Sequence, residues 1–501
     1  MKILLIQARF NVHFGYITPP LGLISLSAFL KQAGYRDVEV MHPEIMDGWR
    51  ERLEERLREF KPDVVGISAM TAQAGSMREI AAMVKRAAPE TLVLAGGPYP
   101  THYPENCAAD PSIDAAVLHE GELTLLELVR HCEEKKPFDG IKGIAFRRGT
   151  AARNSATGAT GAEGSAVGLL PQVPETMSTA DGAVVRNPPR EFIEDLDSLP
   201  LPDWGALDLD AYQNFMPCSI LAYKKRYMSV MNSRGCPYRC TFCHKVMGKK
   251  FRAQSPERIV LELSALSSRH GINHIEVLDD IANYDTDRFK AALRAIAAGD
   301  LNLTIYLASG LRGDLLDEET IDLMPAAGVV DLTVAVESGS PRVQELMRKN
   351  LDLDRIKRMI AYAARKGLYV QGLFMIGFPG ETMNDMWKTL RFAAGSKLHS
   401  MMIATCFGFR GTELGDTLPQ GVPGIAAMNP ENDVSVYEGY SFTTCSQLPP
   451  WKIKLMKFLI NLTFYYNPFR LWRLLRALPD LNAAPAGVLL KKMVKKTIIL
   501  R

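Results

Sequence analysis

Three of the chain's eight cysteines, Cys236, Cys240 and Cys243, fall within eight positions of one another, while the other five stand singly. The run Gly235-Cys236-Pro237-Tyr238-Arg239-Cys240-Thr241-Phe242-Cys243-His244 has the form C-x3-C-x2-C. Thiolates are soft ligands that suit iron–sulfur clusters, zinc and copper. A cubane cluster ordinarily takes four cysteines, so three in one loop leave one iron open to a small molecule. Zinc is the competing reading. Its closed structural sites are commonly built from two separated C-x2-C pairs, and no second pair exists here. His244 adjoins Cys243 more tightly than zinc ligands are usually spaced.

The elements that must position this loop form an α/β series. Strand patterns run over Tyr227–Asn232, His274–Asp279, Leu303–Ser309, Asp331–Glu337, Val370–Ile376 and Met401–Cys406. Helical patterns intervene at Pro256–Ser268, Thr286–Ala298, Glu318–Ala327, Asp354–Lys366 and Glu381–Ala394. This alternation predicts a partial (β/α)6 barrel, whose chemistry sits at the carboxyl ends of its strands. There stand the cysteine loop, Asp279-Asp280, Ser309-Gly310, Glu337-Ser338-Gly339-Ser340 and Gly377-Phe378-Pro379-Gly380-Glu381.

A second α/β series precedes it, with strand patterns at Lys2–Gln7, Val38–His42, Val64–Ala69, Leu92–Gly96 and Ala115–His119. Helical stretches at Leu21–Lys31, Gly48–Glu59, Gly75–Ala87 and Glu122–Glu133 separate them. This predicts a Rossmann-like, doubly wound parallel sheet with a ligand crevice at the carboxyl edge. The loops on that edge contain Pro20, Gly22, Gly96, Gly97, Glu120 and Gly121. The domains expected are 1–150, a flexible linker over 151–190, the barrel over 191–410 and a helical region over 411–501. The linker expectation rests on TAARNSATGATGAEGSAVG, a small, polar run without periodicity.

The cysteine loop, with an aromatic residue before its last cysteine at the end of a first barrel strand, resembles the radical S-adenosylmethionine superfamily. The resemblance implies that Cys236, Cys240 and Cys243 hold a 4Fe–4S cluster whose open iron takes the methionyl group of S-adenosylmethionine. One-electron reduction there yields methionine and a 5′-deoxyadenosyl radical. By the same resemblance Phe242 lines the adenine pocket, Asp279 or Asp280 lies near the methionyl amine, and Glu337 with Ser338 lies near the ribose. The Gly377, Pro379 and Gly380 turn flanks the adenine. Asp279-Asp280 replaces the superfamily's glycine-rich amine-binding motif, and an acidic pair could instead transfer protons or face solvent.

Pro19-Pro20-Leu21-Gly22-Leu23, Gly96-Gly97-Pro98 and Glu120-Gly121-Glu122 resemble the cobalamin-binding domain fused to many such enzymes, and Asp197–Asp203 resembles their connector. Together the similarities span roughly residues 1–410. The D-x-H-x-x-G motif that supplies a histidine to cobalt is absent, and His13, His102 and His119 stand in other contexts.

The resemblance implies C-methylation of an unactivated carbon, or else radical cyclisation, rearrangement or oxidation of a tetrapyrrole or lipid-like substrate. No residue is singled out as catalytic. A methylthiotransferase would need a second cluster of three cysteines near the N-terminus, where only Cys107 and Cys132 lie. A metal- or cobalamin-binding sensor without turnover is the alternative from another class. A small-molecule or lipid-like substrate and a one-electron reductant such as flavodoxin or ferredoxin are the expected partners.

A net charge of +3 over 501 residues gives no reason to expect nucleic acid. The N-terminus lacks the apolar core and cleavage site of a secretory signal, so a cytoplasmic location is expected. From Pro449 the chain becomes basic and aromatic. Lys452, Lys454, Lys457, Arg470, Arg473 and Arg476 interleave with Leu459, Ile460, Phe464, Phe469, Trp472 and Leu475. Such a segment either caps the barrel or lies peripherally on a membrane.

Overall fold

The structure, a computed structural model, describes residues 1–10, 16–148, 183–223, 225–418 and 445–477, without the side chains of 475–477. His13, most of the expected linker, residues 419–444, the last 24 residues and the side chains of Leu475 and Arg476 lie outside the described residues. The chain divides into two compact units. The first is Met1–Asn11, Gly22–Ile193 and Pro200–Leu207; the second is Val12–Leu21, Glu194–Leu199 and Asp208–Arg501.

The first unit is built on β1 (Ile3–Gln7), α1 (Leu21–Gln32), β2 (Val38–Met41), α2 (Trp49–Phe60), β3 (Val64–Ser68), α3 (Ala74–Ala87) and β4 (Leu92–Gly96). The short α4 (Pro98–His102) and α5 (Pro104–Ala109) follow, then β5 (Ala115–Val117), α6 (Glu122–Glu133), β6 (Ile144–Arg147) and β7 (Val184–Arg186). The sheet order is β2-β1-β3-β4-β5-β6-β7, parallel through β5 and antiparallel at β6 and β7.

Alternation along β1 explains why both faces are covered. Leu4 and Ile6 join one core with Leu53 and Leu57 of α2 and Met77 and Ile80 of α3. Ile3 and Leu5 join the other with Leu23 and Leu30 of α1 and Leu125 and Leu128 of α6. Successive side chains of a strand point to opposite faces, so a continuous apolar run requires helices on both. The antiparallel β6 and β7 were not expected; β7 falls within 151–190, the range expected as linker.

The second unit contains β8 (Tyr227–Val230), β9 (Ser233–Arg234), β10 (Arg252–Ala253), α7 (Pro256–His270), β11 (His274–Val277), α8 (Thr286–Ala298) and β12 (Thr304–Leu311). It continues through α9 (Glu318–Ala326), β13 (Val329–Glu337), α10 (Pro341–Leu346), α11 (Leu353–Arg365), β14 (Tyr369–Ile376), α12 (Met383–Gly395) and β15 (Ser400–Thr405). Three helices end it: α13 (Glu413–Thr417), α14 (Pro450–Tyr465) and α15 (Pro468–Ala477). Six parallel strands stand in the order β15-β14-β13-β12-β11-β8, so β8 and β15 are edges and the barrel is open.

The C-terminal helices cover one of those edges. Tyr465 Oη lies 3.1 Å from Met401 N and 2.7 Å from Met401 O, satisfying both backbone groups of an edge residue. Arg470 caps the end of α12, donating to the carbonyls of Ala393, Ala394, Ser396 and Leu398. Among the described residues no helix is long and apolar enough to cross a membrane.

Candidate cluster-binding site

The cysteine loop is closed at its base by a two-residue ladder. Ser233 pairs with Ala253 and Arg234 with Arg252, antiparallel, just past the carboxyl end of β8. Gly235 opens the loop at φ 83, where a Cβ would lie 2.4 Å from Lys250 O; only glycine fits this close approach. Inside the loop the buried Arg252 donates to Met247 O at 2.8 Å, and Lys249 Nζ to Tyr238 O at 2.7 Å. The middle is pinned from outside, since Thr241 N donates to Met347 O and Leu414 N to Thr241 O. Phe242 packs against a buried cluster that contains Val343, Met375, Phe378 and Cys406.

All three cysteines are free and partly exposed. Burial raises each thiol's pKa, and for Cys243 the pKa climbs to about 12 with Cys236 and Cys240 adding to the rise. Three such thiols give up their protons together only to a strongly cationic partner, and this is the electrostatic condition for metal binding. The Tyr238 amide is bonded to Cys236, and Lys349 and Arg312 favour the Cys240 thiolate. Among the described residues, no three His, Cys, Asp or Glu side chains converge tightly enough to clasp one metal ion. A cubane places each thiolate on its own iron, so three cysteines on one loop could hold such a cluster with one iron left open.

The acidic pair at the end of β11 divides its duties. Asp279 is buried, and accepts from Asn232 N at 2.7 Å and from Ser233 Oγ at 2.6 Å, tying the end of β8 to that of β11. Burial pushes its pKa up to about 6. Asp280 is exposed, and its charge adds to the burial that raises the Cys236 and Cys243 thiols.

Glu337 ends β13 in the left-handed region, at φ 60, and accepts from Lys349 Nζ at 2.7 Å. A non-glycine residue held there beside a candidate site carries backbone strain. Ser338 is fully buried, and its hydroxyl lies 3.2 Å from Thr389 Oγ1 and accepts from Ser340 N. These contacts secure the turn to α12. Gly377, at φ 82, and Phe378 both donate their amides to Glu381 Oε2, which folds the Gly377–Glu381 turn back on itself. Glu381 Oε1 is buried without a partner, and burial raises the Glu381 pKa to about 7. Pro379 and Gly380 form the outer corner of that turn, Gly380 at φ 79.

Several neighbours carried no recognisable signal in the sequence. The Arg312 guanidinium lies 3.9 Å from the Tyr238 ring centroid and is bonded to Asp314. It reaches the loop from just past the carboxyl end of β12, and only the fold makes it a neighbour.

In the first unit, sheet order reverses at β1, so the crevice of a doubly wound sheet lies at the carboxyl ends of β1 and β3. Gln7, Ser68 and Gln73 meet there. Gln7 Nε2 donates to Ser68 O at 3.2 Å and to Gln73 Oε1 at 3.0 Å. The Ser68–Gln73 turn went unread because it has neither glycine nor proline. Gly22 and Gly96 face open space, as a ligand's close approach requires, whereas Gly97 packs on Ser68 and Ala69, and Gly121 on Leu26. Glu120 is buried and accepts from Ile193 N at 2.7 Å. Pro20 belongs to the second unit. His119 occupies a left-handed turn, φ 61, with its ring edge-on to Phe192 at 5.3 Å.

Residues 232–393 match the model of the Radical SAM superfamily, and residues 10–129 match that of the B12 binding domain. The chain therefore carries a radical SAM domain preceded by a B12-binding domain. It is 29% identical over 430 residues to cytidylyl-2-hydroxyethylphosphonate methyltransferase of Streptomyces wedmorensis, covering 79% of this chain and 77% of that one. It is 25% identical over 401 residues to the anaerobic magnesium-protoporphyrin IX monomethyl ester cyclase of Rubrivivax gelatinosus, covering 78% and 65%. Its fold is that of the radical S-adenosylmethionine methyltransferase TsrM from Kitasatospora setae, solved with cobalamin and an iron–sulfur cluster. The TM-score is 0.67 at 19% identity, over 94% of this chain and 90% of that one.

Proposed function

We propose that this enzyme methylates an unactivated carbon of a small molecule by radical chemistry, using S-adenosylmethionine, a 4Fe–4S cluster and cobalamin. The observation that carries the reading is a clamped C-x3-C-x2-C loop at the carboxyl end of a barrel strand, in a chain that also holds a B12-binding domain. When bound, the cofactors supply the radical and the methyl group, and the protein orients them and excludes competing reactions. Cys236, Cys240 and Cys243 hold the cluster. Asp280 faces the position of the methionyl amine, Phe242 and the Gly377–Gly380 turn flank the adenine, and Glu337, fixed by Lys349, borders the ribose. Cobalamin takes the crevice at β1 and β3, near Gly96. The relative that acts on a phosphonate supports methyl transfer; the cyclase relative keeps cyclisation as the second reading. All eight cysteines are free thiols, which suits a reducing, cytoplasmic setting.

Anaerobic protein loaded with iron, sulfide and cobalamin, given S-adenosylmethionine and dithionite, tests this. Mass spectrometry counts 5′-deoxyadenosine and S-adenosylhomocysteine in wild type and in Cys240→Ala. Both products from wild type, with deoxyadenosine lost in the variant, are expected. Deoxyadenosine without S-adenosylhomocysteine moves the reading to cyclisation or oxidation. Neither product, with candidate substrates supplied, leaves a metal-binding sensor.

A further inference from the structure

The reading above requires one electron to reach the cluster from outside, and the surface of the cysteine loop shows where. Between Tyr227 and Pro256 the sequence has six Lys and Arg residues and no Asp or Glu. Arg239, His244, Lys245 and Lys250 are exposed on the loop that carries Cys236, Cys240 and Cys243. Arg239 and Lys245 have no ion-pair partner among the described residues, whereas the exposed Lys250 pairs with Glu194. Beside them lies an open depression of about 790 Å³, lined by Pro237, Lys249, Lys250, Phe251, Tyr284 and the α8 cap Asp285. Its aromatic floor is continuous with the loop: Tyr284 contacts Phe251 at 5.2 Å and Tyr238, two residues from Cys236, at 5.8 Å.

We propose that this face is the docking surface for an acidic one-electron carrier protein. Resting on the cluster reading, the proposal names where its reductant binds. Aromatic side chains with cations beside them, of which Arg239 and Lys245 lack an ion-pair partner among the described residues, suit a transient protein interface. The cations would steer an acidic partner, and the partly exposed cysteines put the cluster directly beneath it. In the transfer, one electron leaves the carrier's flavin and one enters the cluster; no bond or proton changes hands. A sugar phosphate or nucleotide is a poorer occupant, because the depression is open and its two lysines, Lys249 and Lys250, already bond to Tyr238 O and Glu194.

The test follows bleaching of the cluster's visible absorbance on anaerobic stopped-flow mixing with flavodoxin hydroquinone freed of other reductant. The wild-type second-order rate should fall steeply with added salt, since screening acts over about 8 Å at physiological ionic strength. Lys245→Glu and Lys250→Glu should each slow it about tenfold at low salt. Dithionite should still bleach both variants fully. A flavodoxin rate indifferent to salt and to both charge reversals, with dithionite bleaching intact, overturns the docking surface. If dithionite bleaches nothing in iron-loaded wild type, the cluster reading itself falls and takes the surface with it. Should a variant fail to hold iron, the salt dependence of wild type decides the matter.

Discussion

Lys349 donates from Nζ to Glu337 Oε1 at 2.7 Å, with the two side chains only 11% and 15% exposed. The pair joins Lys349, three residues past the end of α10, to the strained end of β13, and Lys349 also favours the Cys240 thiolate. Removing one partner strands the charge of the other in a poorly solvated place. Lys349→Met should therefore cost about 2 kcal/mol, and Glu337→Gln in the same chain should restore at least half of it. Anaerobic urea denaturation measures both, and identical midpoints for wild type and Lys349→Met would deny the pair any structural role.

Gly235 tolerates no side chain. A Cβ there would lie 2.4 Å from Lys250 O and 2.9 Å from Met247 O, at a φ of 83°. Gly235→Ala should spread the loop, with strain on the order of 1–3 kcal/mol localised at the cysteines. Iron and sulfide after reconstitution should fall well below the wild-type content while the circular dichroism stays unchanged. Full iron content in the variant would show that the loop shapes itself around its ligand.

Glu276 is buried inside the barrel near Asp331, both linked to Ser219, and burial raises each carboxyl pKa to about 7. A carboxyl whose folded pKa exceeds its unfolded value binds its proton more readily when folded. Its contribution is therefore fully favourable below the unfolded value of 4.5 and is lost as pH rises to about 7. Glu276→Gln removes the titration. Between pH ~5 and ~8 the variant should lose less stability than wild type, by up to about 3 kcal/mol. Equal slopes in the two proteins would place the titration elsewhere.

Arg470 is 2% exposed and lies 3.7 Å from the Phe464 ring centroid while capping α12. Arg470→Met should weaken docking of the C-terminal helices by about 3 kcal/mol and expose residues 449–477 to protease. Arg470→Lys should recover little, because a point charge cannot span four carbonyls. Unchanged cleavage kinetics would mean that Tyr465 alone secures the segment.

The sequence is most readable where the chemistry is local. Helix Thr286–Ala298 is legible to the residue because Asp285 caps it and its apolar positions keep helical spacing. The cysteine loop is legible because three soft ligands at short spacing have few other uses. By contrast, α4 and α5 hide behind Pro98, Pro100 and Pro104, which read as breakers although two of them open helices. Strand β7 spans three residues, too few for a periodicity. Nothing in an adjacent acidic pair says which carboxylate turns inward, so Asp279 and Asp280 were separable only by their partners. The basic, aromatic tail concealed the opposite fates of its arginines and rings: Arg470 is buried, whereas Phe469 is 80% exposed.

The pairing of β6 with β7 has a consequence for how this molecule could change length. Arg147 stands opposite Val184, and Arg148 N donates to Ala183 O at 3.0 Å, so the chain leaves the sheet and returns at one point. Arg148 and Ala183 are thus neighbours in space, and doubling the length of a connection between two such points costs only about 0.6 kcal/mol of closure entropy. The site is thus a natural port: a two-residue turn, a peptide tag or a whole small domain could be spliced between Arg148 and Ala183 without altering the register of a single neighbouring strand.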